Sequence, residues 1–482
     1  MIEKLASNET DSGIANQECI QPHPSALQSD ITTSLDGIQT MFINLRQLLA
    51  LTVGTLAAAG LTFAHAWNFT RVPPLGVTEL GQTELEQTGH FDAWHNSESA
   101  RQSAVQTMRV AFNKTTFPEN TSTPNNPMEP KRMSVTSVER QPYQTTDQGQ
   151  AVELFTIKNK NGLIASVMTY GATLVSLQAP DKDGKLDNLV LTCPDMNAWQ
   201  ACGSYFGSTV GRFGNRIAKG KFSIDGVDYQ LATNNGPNHL HGGDQAFDKK
   251  IWNAEILPES EGNGVRFRYS SQDQEEGYPG TLNVTADYLL TDQNELVMRY
   301  QATTDKTTPV NLTNHAYWNL GGDKSGTILN QELKLQAQRV LDVDAGLIPT
   351  GVLNKVAGTA LDFTTSIPLG TNIADVKNTP ANGFDHCFAI DGNHGQLRLA
   401  ATAYDPESGR VLEIFTTQPG IQLYTANHLD KGPGSGGYDS NHAFCLETQN
   451  YPDSPNQPDF PSPFLKPAQV YNQETVHKFS VK

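Results

Sequence analysis

The chain has 482 residues, a formal net charge of −17 and a pI near 5.1, which argues against nucleic-acid and anionic-membrane partners, since both favour basic patches. Its five cysteines (Cys19, Cys193, Cys202, Cys387, Cys445) match no zinc spacing and are too few for a disulfide scaffold. Forty glycines and 18% charged residues suit a turn-rich, all-β chain, and the length admits several domains or one large β domain with extensions.

The N-terminal third divides by composition. Met41-Phe42-Ile43-Asn44-Leu45-Arg46 is followed by an uncharged run from Leu48 to Ala64, and Ala64-His65-Ala66 stands before Trp67. A basic start, an apolar centre and a small-x-small site make residues 41–66 a secretory signal peptide, with a single membrane anchor as the alternative. Signal peptides begin at the start of translation, so Met41 is the expected start and residues 1–40 an over-extended or disordered N-terminus. The expected destination is the periplasm or the exterior, with no stable membrane association after cleavage. Export makes a Cys193–Cys202 disulfide possible. Residues 67–134 read as a polar, mostly disordered linker, marked by Pro118 to Pro127, with a short helix expected over Gln102–Phe112.

From residue 135 onward short alternating runs dominate. Val265, Phe267 and Tyr269 alternate with Arg266 and Arg268; Val284, Ala286 and Tyr288 alternate with Thr285 and Asp287; Leu296, Met298 and Tyr300 alternate with Val297 and Arg299. A period of two predicts half-buried strands. Thr291 to Glu295 predicts a hairpin between the last two, and Asp183-Gly184, Asp225-Gly226 and Asp391-Gly392 predict further turns. No long amphipathic helix or fixed repeat interrupts, so residues 135–482 are expected to form one large antiparallel β-sandwich domain.

Several stretches in that domain can carry chemistry. Val210-Gly211-Arg212-Phe213-Gly214-Asn215-Arg216 lacks the lysine-serine ending and strand–helix context of a phosphate loop. In Pro237-Asn238-His239-Leu240-His241-Gly242-Gly243 the glycine pair would let a ligand approach closely. There His239 and His241 are expected on one strand face, but no third metal ligand sits nearby. Asn311-Leu312-Thr313-Asn314-His315-Ala316-Tyr317-Trp318-Asn319 offers amides, an imidazole and flat rings, a combination suited to a sugar. A strand-end histidine is nevertheless more often a core residue than a catalyst. Gly383-Phe384-Asp385-His386 and Cys445-Leu446-Glu447-Thr448-Gln449 each place an acid among apolar neighbours. Glu447 there can be desolvated and poised as a base, or can be a solvated loop carboxylate. No Gly-x-Ser-x-Gly elbow supports a serine hydrolase.

Together with Tyr170-Gly171-Ala172-Thr173-Leu174 and Thr417-Gln418-Pro419-Gly420-Ile421-Gln422-Leu423-Tyr424-Thr425, these stretches in this order resemble the aldose 1-epimerases (galactose mutarotases) over essentially all of 135–482. The resemblance implies a galactose mutarotase-like β-sandwich, a free aldose such as glucose or galactose as substrate, no cofactor or metal, and a monomer or homodimer. It assigns His315 as general acid, Glu447 as general base and His241 as the group that polarises the ring oxygen. Asn215, Arg216, Asp385 and Gln422, with His241, are implied to bind the sugar. Asn314 and Tyr317 are then expected to fix the His315 ring. The pattern departs at Gly214, where many relatives have alanine, and in the long N-terminal extension. Competing readings are a non-catalytic carbohydrate-binding protein, a glycosidase using Asp385 and Glu447, and a hexose-phosphate epimerase, for which Arg212 and Arg216 make too small a basic cluster.

Overall fold

The structure, a computed structural model, describes residues 136–482; the expected signal peptide, linker and helix over Gln102–Phe112 lie outside the described residues. The alternating runs become adjacent strands Gly264–Ser271, Leu282–Leu290 and Glu295–Thr304, paired antiparallel in a nine-stranded sheet. That sheet continues through Tyr471–Val481, Arg410–Thr416, Arg398–Tyr404 and Glu332–Leu335. A five-stranded sheet runs from Ser137–Thr145 to Leu186–Asn188 in chain order. A second five-stranded sheet is ordered Pro349–Lys355, Arg339–Val343, Asp385–Ala389, Gly420–Tyr424, Cys445–Gln449. The α-helices among the described residues are short, at Met196–Ala201 and Ile373–Val376.

One apolar cluster draws on all three sheets. Phe155, Val167 and Leu177 enter from the first, Phe267, Tyr288 and Leu412 from the nine-stranded sheet, and Phe388, Ile421 and Leu423 from the other. Each such side chain contributes roughly 1.5–3 kcal/mol relative to exposure, so the pattern of alternate residues decides which face each strand turns inward. Asp287 is an exception to the polar-outward expectation, being only 7% exposed. It lies directly opposite Arg266, which grips both its carboxylate oxygens at 2.7 Å. A fork-to-carboxylate geometry of this kind satisfies the charge that burial would otherwise penalise.

Turn chemistry follows the residues that permit it. Asp225 and Gly226, with φ of 50° and 82°, join strands in which Ile224 faces Val227, a two-residue hairpin with both central residues left-handed. The Thr291–Glu295 hairpin closes with the Thr291 N–H donating to the Glu295 carbonyl at 2.9 Å, and Asn294 takes φ 62°.

Two local expectations are corrected. His239 and His241 do not share a face: the strand ends at Leu240, and His241 turns to φ 51°. Both ring nitrogens of His239 are engaged, Nδ1 with the Ala232 carbonyl at 2.8 Å and Nε2 with the Tyr278 hydroxyl at 2.7 Å, so it is a satisfied buried histidine. The Gly242-Gly243 pair admits neighbouring chain rather than a ligand. A Cβ on Gly242 would lie 2.0 Å from the Gly211 carbonyl oxygen, and one on Gly243 would lie 2.1 Å from the Glu276 carboxylate. Two separate glycine clusters thus meet backbone to backbone, which brings the Asn215 and His241 segments together.

Candidate active site

The second five-stranded sheet supplies half of the site. In its register Asp385 faces Tyr424, Gln422 faces both Cys387 and Glu447, and Tyr424 faces Cys445. The period of two therefore puts Asp385, Gln422 and Glu447 on one face, while Phe388, Ile421, Leu423 and Leu446 turn into the core. Gln422 donates to Asp385 Oδ1 at 2.6 Å, and Arg216 Nη2 lies 3.5 Å from Asp385 Oδ2. Asp385 is held on both oxygens by groups that leave their remaining polar atoms for a ligand. Arg216 is steadied by Asn235, which accepts from its Nε at 3.2 Å.

The other half comes from loops. His315 follows the two-residue strand Thr313–Asn314, which pairs with Thr209–Val210. Its N–H donates to the Ser208 carbonyl at 3.0 Å, and its own carbonyl accepts from Gly207 N–H at 2.9 Å. Tyr317 stacks on the imidazole with centroids 5.0 Å apart, as expected. Asn314 supports the ring through the backbone. Its amide donates to the Gly207 carbonyl at 2.7 Å and to the Tyr288 hydroxyl at 3.2 Å, fixing the peptide that holds His315 rather than touching the imidazole. Asn215, at φ 65°, exchanges two hydrogen bonds with His241. Its carbonyl accepts from His241 N–H at 3.1 Å and its N–H donates to His241 Nδ1 at 3.2 Å.

That last bond decides a tautomer. A backbone N–H can only donate, so Nδ1 of His241 must carry the lone pair and Nε2 the proton. Burial, together with His315 and Arg216 nearby, pushes the His241 pKa well below the ordinary imidazole value. His241 is thus a neutral donor of one N–H bond. Its ring lies edge-to-face with His315 at 5.2 Å.

His315 Nε2 stands 3.6 Å from Glu447 Oε1, with both residues buried. Burial drives the His315 pKa down to about 4, and burial with the Asp385 charge beside it drives the Glu447 carboxyl well up. Both shifts have the same physical origin: each charged form is disfavoured out of water. The consequence is that burial favours the neutral imidazole and the neutral carboxyl over the ion pair. Glu447 Oε2 and Gln422 Oε1 are buried and have no partner among the described residues, so both face the site as free acceptors.

His241, His315 and Glu447 offer ligand atoms within 4.8 Å of one another, the donor set of a two-histidine, one-carboxylate metal centre. They do not fit one. A metal needs an imidazole lone pair, and the His241 nitrogen left free by the Asn215 bond bears the proton.

All seven residues expected from the sequence, His241, His315, Glu447, Asn215, Arg216, Asp385 and Gln422, converge. Arg212 does not join them: it is buried, donating to the carbonyls of Pro279 and Gly280 at 2.9 Å and to Ser271 Oγ at 2.7 Å. His386 turns to the opposite face from Asp385. The glutamate is neither in a loop nor solvated; it lies mid-strand and is 2% exposed. Two neighbours of the histidines carried no sequence signal. Tyr205, at φ 58°, packs on His241 at 4.8 Å and on His315 at 5.9 Å. Cys445 places its sulfur 3.5 Å from His315 Nδ1.

The family model described as "Aldose 1-epimerase" matches residues 153–478. The chain is 45% identical to galactose mutarotase of Bos taurus over 68% of its own length and 94% of the relative's. It is 36% identical to aldose 1-epimerase of Escherichia coli K12 over 69% of itself and 96% of the relative. Among solved structures, a GalM/aldose epimerase homologue from C. elegans superposes with a TM-score of 0.62 at 33% identity, covering 68% of this chain and 98% of that one. The galactose 1-epimerase of Lactobacillus acidophilus gives 0.64 at 27% identity, covering 72% and 99%.

Proposed function

The chain belongs to the aldose 1-epimerase family, an isomerase activity on aldoses, and from this premise we propose how its own residues interconvert the α and β anomers of a free aldohexose such as glucose or galactose. Opening the hemiacetal needs a proton delivered to the ring oxygen and another withdrawn from the anomeric hydroxyl. These oxygens share one carbon, so two groups set close together but pointing differently are required. His315 and Glu447, 3.6 Å apart, meet that need.

The observation that carries the assignment is geometric: a buried imidazole and a buried carboxyl face each other at 3.6 Å, and their opposite shifts ease proton exchange between them. A carboxylate whose pKa is raised is a stronger base, and an imidazolium whose pKa is lowered is a stronger acid. With His315 protonated and Glu447 ionised around the sugar, transfer through the two sugar oxygens leaves both groups neutral, the state burial favours. His241 donates its Nε2–H toward the ring oxygen and stabilises the charge that develops there. Asp385, Arg216, Asn215 and Gln422 hold hydroxyls at the far end. The open aldehyde turns about its first carbon–carbon bond and closes on the other face with the roles reversed. No cofactor enters this scheme.

The same reading extends to the rest of the chain. The core shared by three sheets supports a β-sandwich, with residues 135–482 as the catalytic domain. The apolar run Leu48 to Ala64 supports a signal peptide over 41–66, a linker over 67–134 and a periplasmic or secreted enzyme. All seven side chains come from one chain, which supports activity as a monomer or homodimer. Polarimetry of freshly dissolved α-D-galactose and α-D-glucose tests the function. Mutarotation accelerated by wild-type protein and not by His315→Gln is expected; rates equal to buffer for the folded wild type would refute it. Sequencing the mature N-terminus tests export: a start near Trp67 is expected, and a mature protein beginning at Met1 or Met133 would overturn it.

A further inference from the structure

The helix Met196–Ala201 is bracketed by Cys193 and by Cys202, its C-terminal cap. Asp195 caps the other end, accepting the Ala198 N–H at 2.9 Å, and Met196 and Trp199 are buried beneath. A helix of fewer than two turns keeps its flanking residues close. The Cys193 and Cys202 side chains accordingly pack into one apolar cluster with Phe206 and Tyr317, close enough that each thiol is the main influence on the other's acidity.

The position of this pair is consequential. Cys202 begins the segment that carries Tyr205, the ring seated on both His241 and His315. A tyrosine at φ 58° is held in a sparsely populated conformation by its surroundings. Its carbonyl accepts from Ser208 N–H at 3.1 Å and Ser208 Oγ at 2.9 Å, and ahead of it Gly203 N–H donates to the Gly434 carbonyl at 3.1 Å and Ser204 Oγ to the same carbonyl at 3.0 Å.

We propose that Cys193 and Cys202 form a modification site, a dithiol that closes to an internal disulfide and staples the Tyr205 segment to the chain entering the helix. The two thiols differ as such a site requires. Cys202 is half-buried, and the neighbouring Cys193 thiol lowers its pKa to about 7, making it the attacking thiolate. Cys387 and Cys445 are buried with their thiols pushed up by desolvation, which leaves them inert.

With a small-molecule disulfide such as oxidised glutathione as oxidant, the Cys202 thiolate attacks one of its sulfurs and expels one glutathione thiolate. Cys193 then gives up its proton and attacks the Cys202 sulfur, expelling the second. Two protein thiols are oxidised by two electrons, and one glutathione disulfide is reduced to two thiols.

The test uses the full chain, incubated with oxidised glutathione, alkylated and peptide-mapped, with amide hydrogen exchange measured on reduced and oxidised protein. The expected result is a Cys193–Cys202 cross-link two hydrogens lighter than the reduced pair, with amides of residues 203–206 exchanging several-fold more slowly. Cys193→Ser should stop at a stable glutathione adduct on Cys202. A persistent glutathione adduct on Cys202 in wild type, a bridge to Cys19 instead, or two unreacted thiols would overturn the site. A cross-link that leaves amide exchange at 203–206 unchanged would overturn the staple. The wild-type measurements need no variant to fold.

Discussion

Replacing Glu447 with glutamine removes one thing only, the capacity to take a proton, because the amide keeps the size and planarity of the carboxyl in a site where Glu447 is 2% exposed. Its Oε1 faces His315 Nε2 at 3.6 Å, and its Oε2 has no partner among the described residues, so no structural hydrogen bond is lost with the charge. General base catalysis of this kind is worth about a hundred- to ten-thousandfold, or roughly 2.7–5.5 kcal/mol of barrier. Polarimetry should therefore show kcat for Glu447→Gln reduced by about 10²–10⁴, with KM changed far less, since the proposed hydroxyl contacts of Asp385, Arg216 and Gln422 are untouched. Stability should move the other way. The folded-state pKa of Glu447 is raised, so the favourable contribution of its neutral form is present below the unfolded carboxyl value and is lost as pH rises through the folded one. An uncharged amide escapes that loss, so the variant's thermal midpoint at mildly alkaline pH should equal or exceed the wild type's. Near-normal turnover in the folded variant would refute Glu447 as the base.

Other consequences can be checked alongside. Asp385→Asn weakens the grip of Arg216 and frees the Gln422 amide; KM for galactose should rise about tenfold, more than kcat falls, and the reverse ordering would assign Asp385 to chemistry. His477 is buried against Trp318 with its pKa lowered to about 4. A lowered histidine costs stability as pH falls from its unfolded value near 6.5 through the folded one, here about 3 kcal/mol in all. His477→Gln should accordingly lose less stability than wild type between pH 7 and pH 4 in urea titrations, and identical losses would contradict the burial argument. Gly242→Ala sets a Cβ 2.0 Å from the Gly211 oxygen at φ 91°, whereas Gly184→Ala, at φ 81°, meets nothing within 4 Å. The first should cost roughly 3 kcal/mol or more and the second about 1, and equal costs would contradict the backbone contact.

The strands were legible because burial on one face forces a period of two, as at Val265, Phe267 and Tyr269. The seven candidate residues could be picked out because their chemistry sits in short, recognisable stretches. What the sequence concealed is geometry that no pattern encodes. His239 and His241 obey the spacing of a shared face, yet a left-handed residue at position 241 ends the alternation. Gly242 looks like room for a ligand and is room for Gly211. Glu447 reads equally well as a loop acid, and only its register against Gln422 puts it inside. Tyr205 carries no motif at all; its place over both imidazoles depends on a backbone conformation that bulky residues rarely adopt. Asn314 fixes His315 through the peptide that carries it, a route the motif does not spell out.

The pH dependence of kcat/KM for mutarotation, corrected for the buffer rate, tests the shared-proton pair most directly. If burial sets the two groups, the wild-type profile falls on the acid side near pH 4, where His315 and Glu447 are both protonated. Its alkaline limb then lies well above the ordinary carboxyl value, where the last proton leaves the pair. A profile whose acid limb lies near 6.5, the ordinary imidazole value, would contradict a buried pair holding one proton between them.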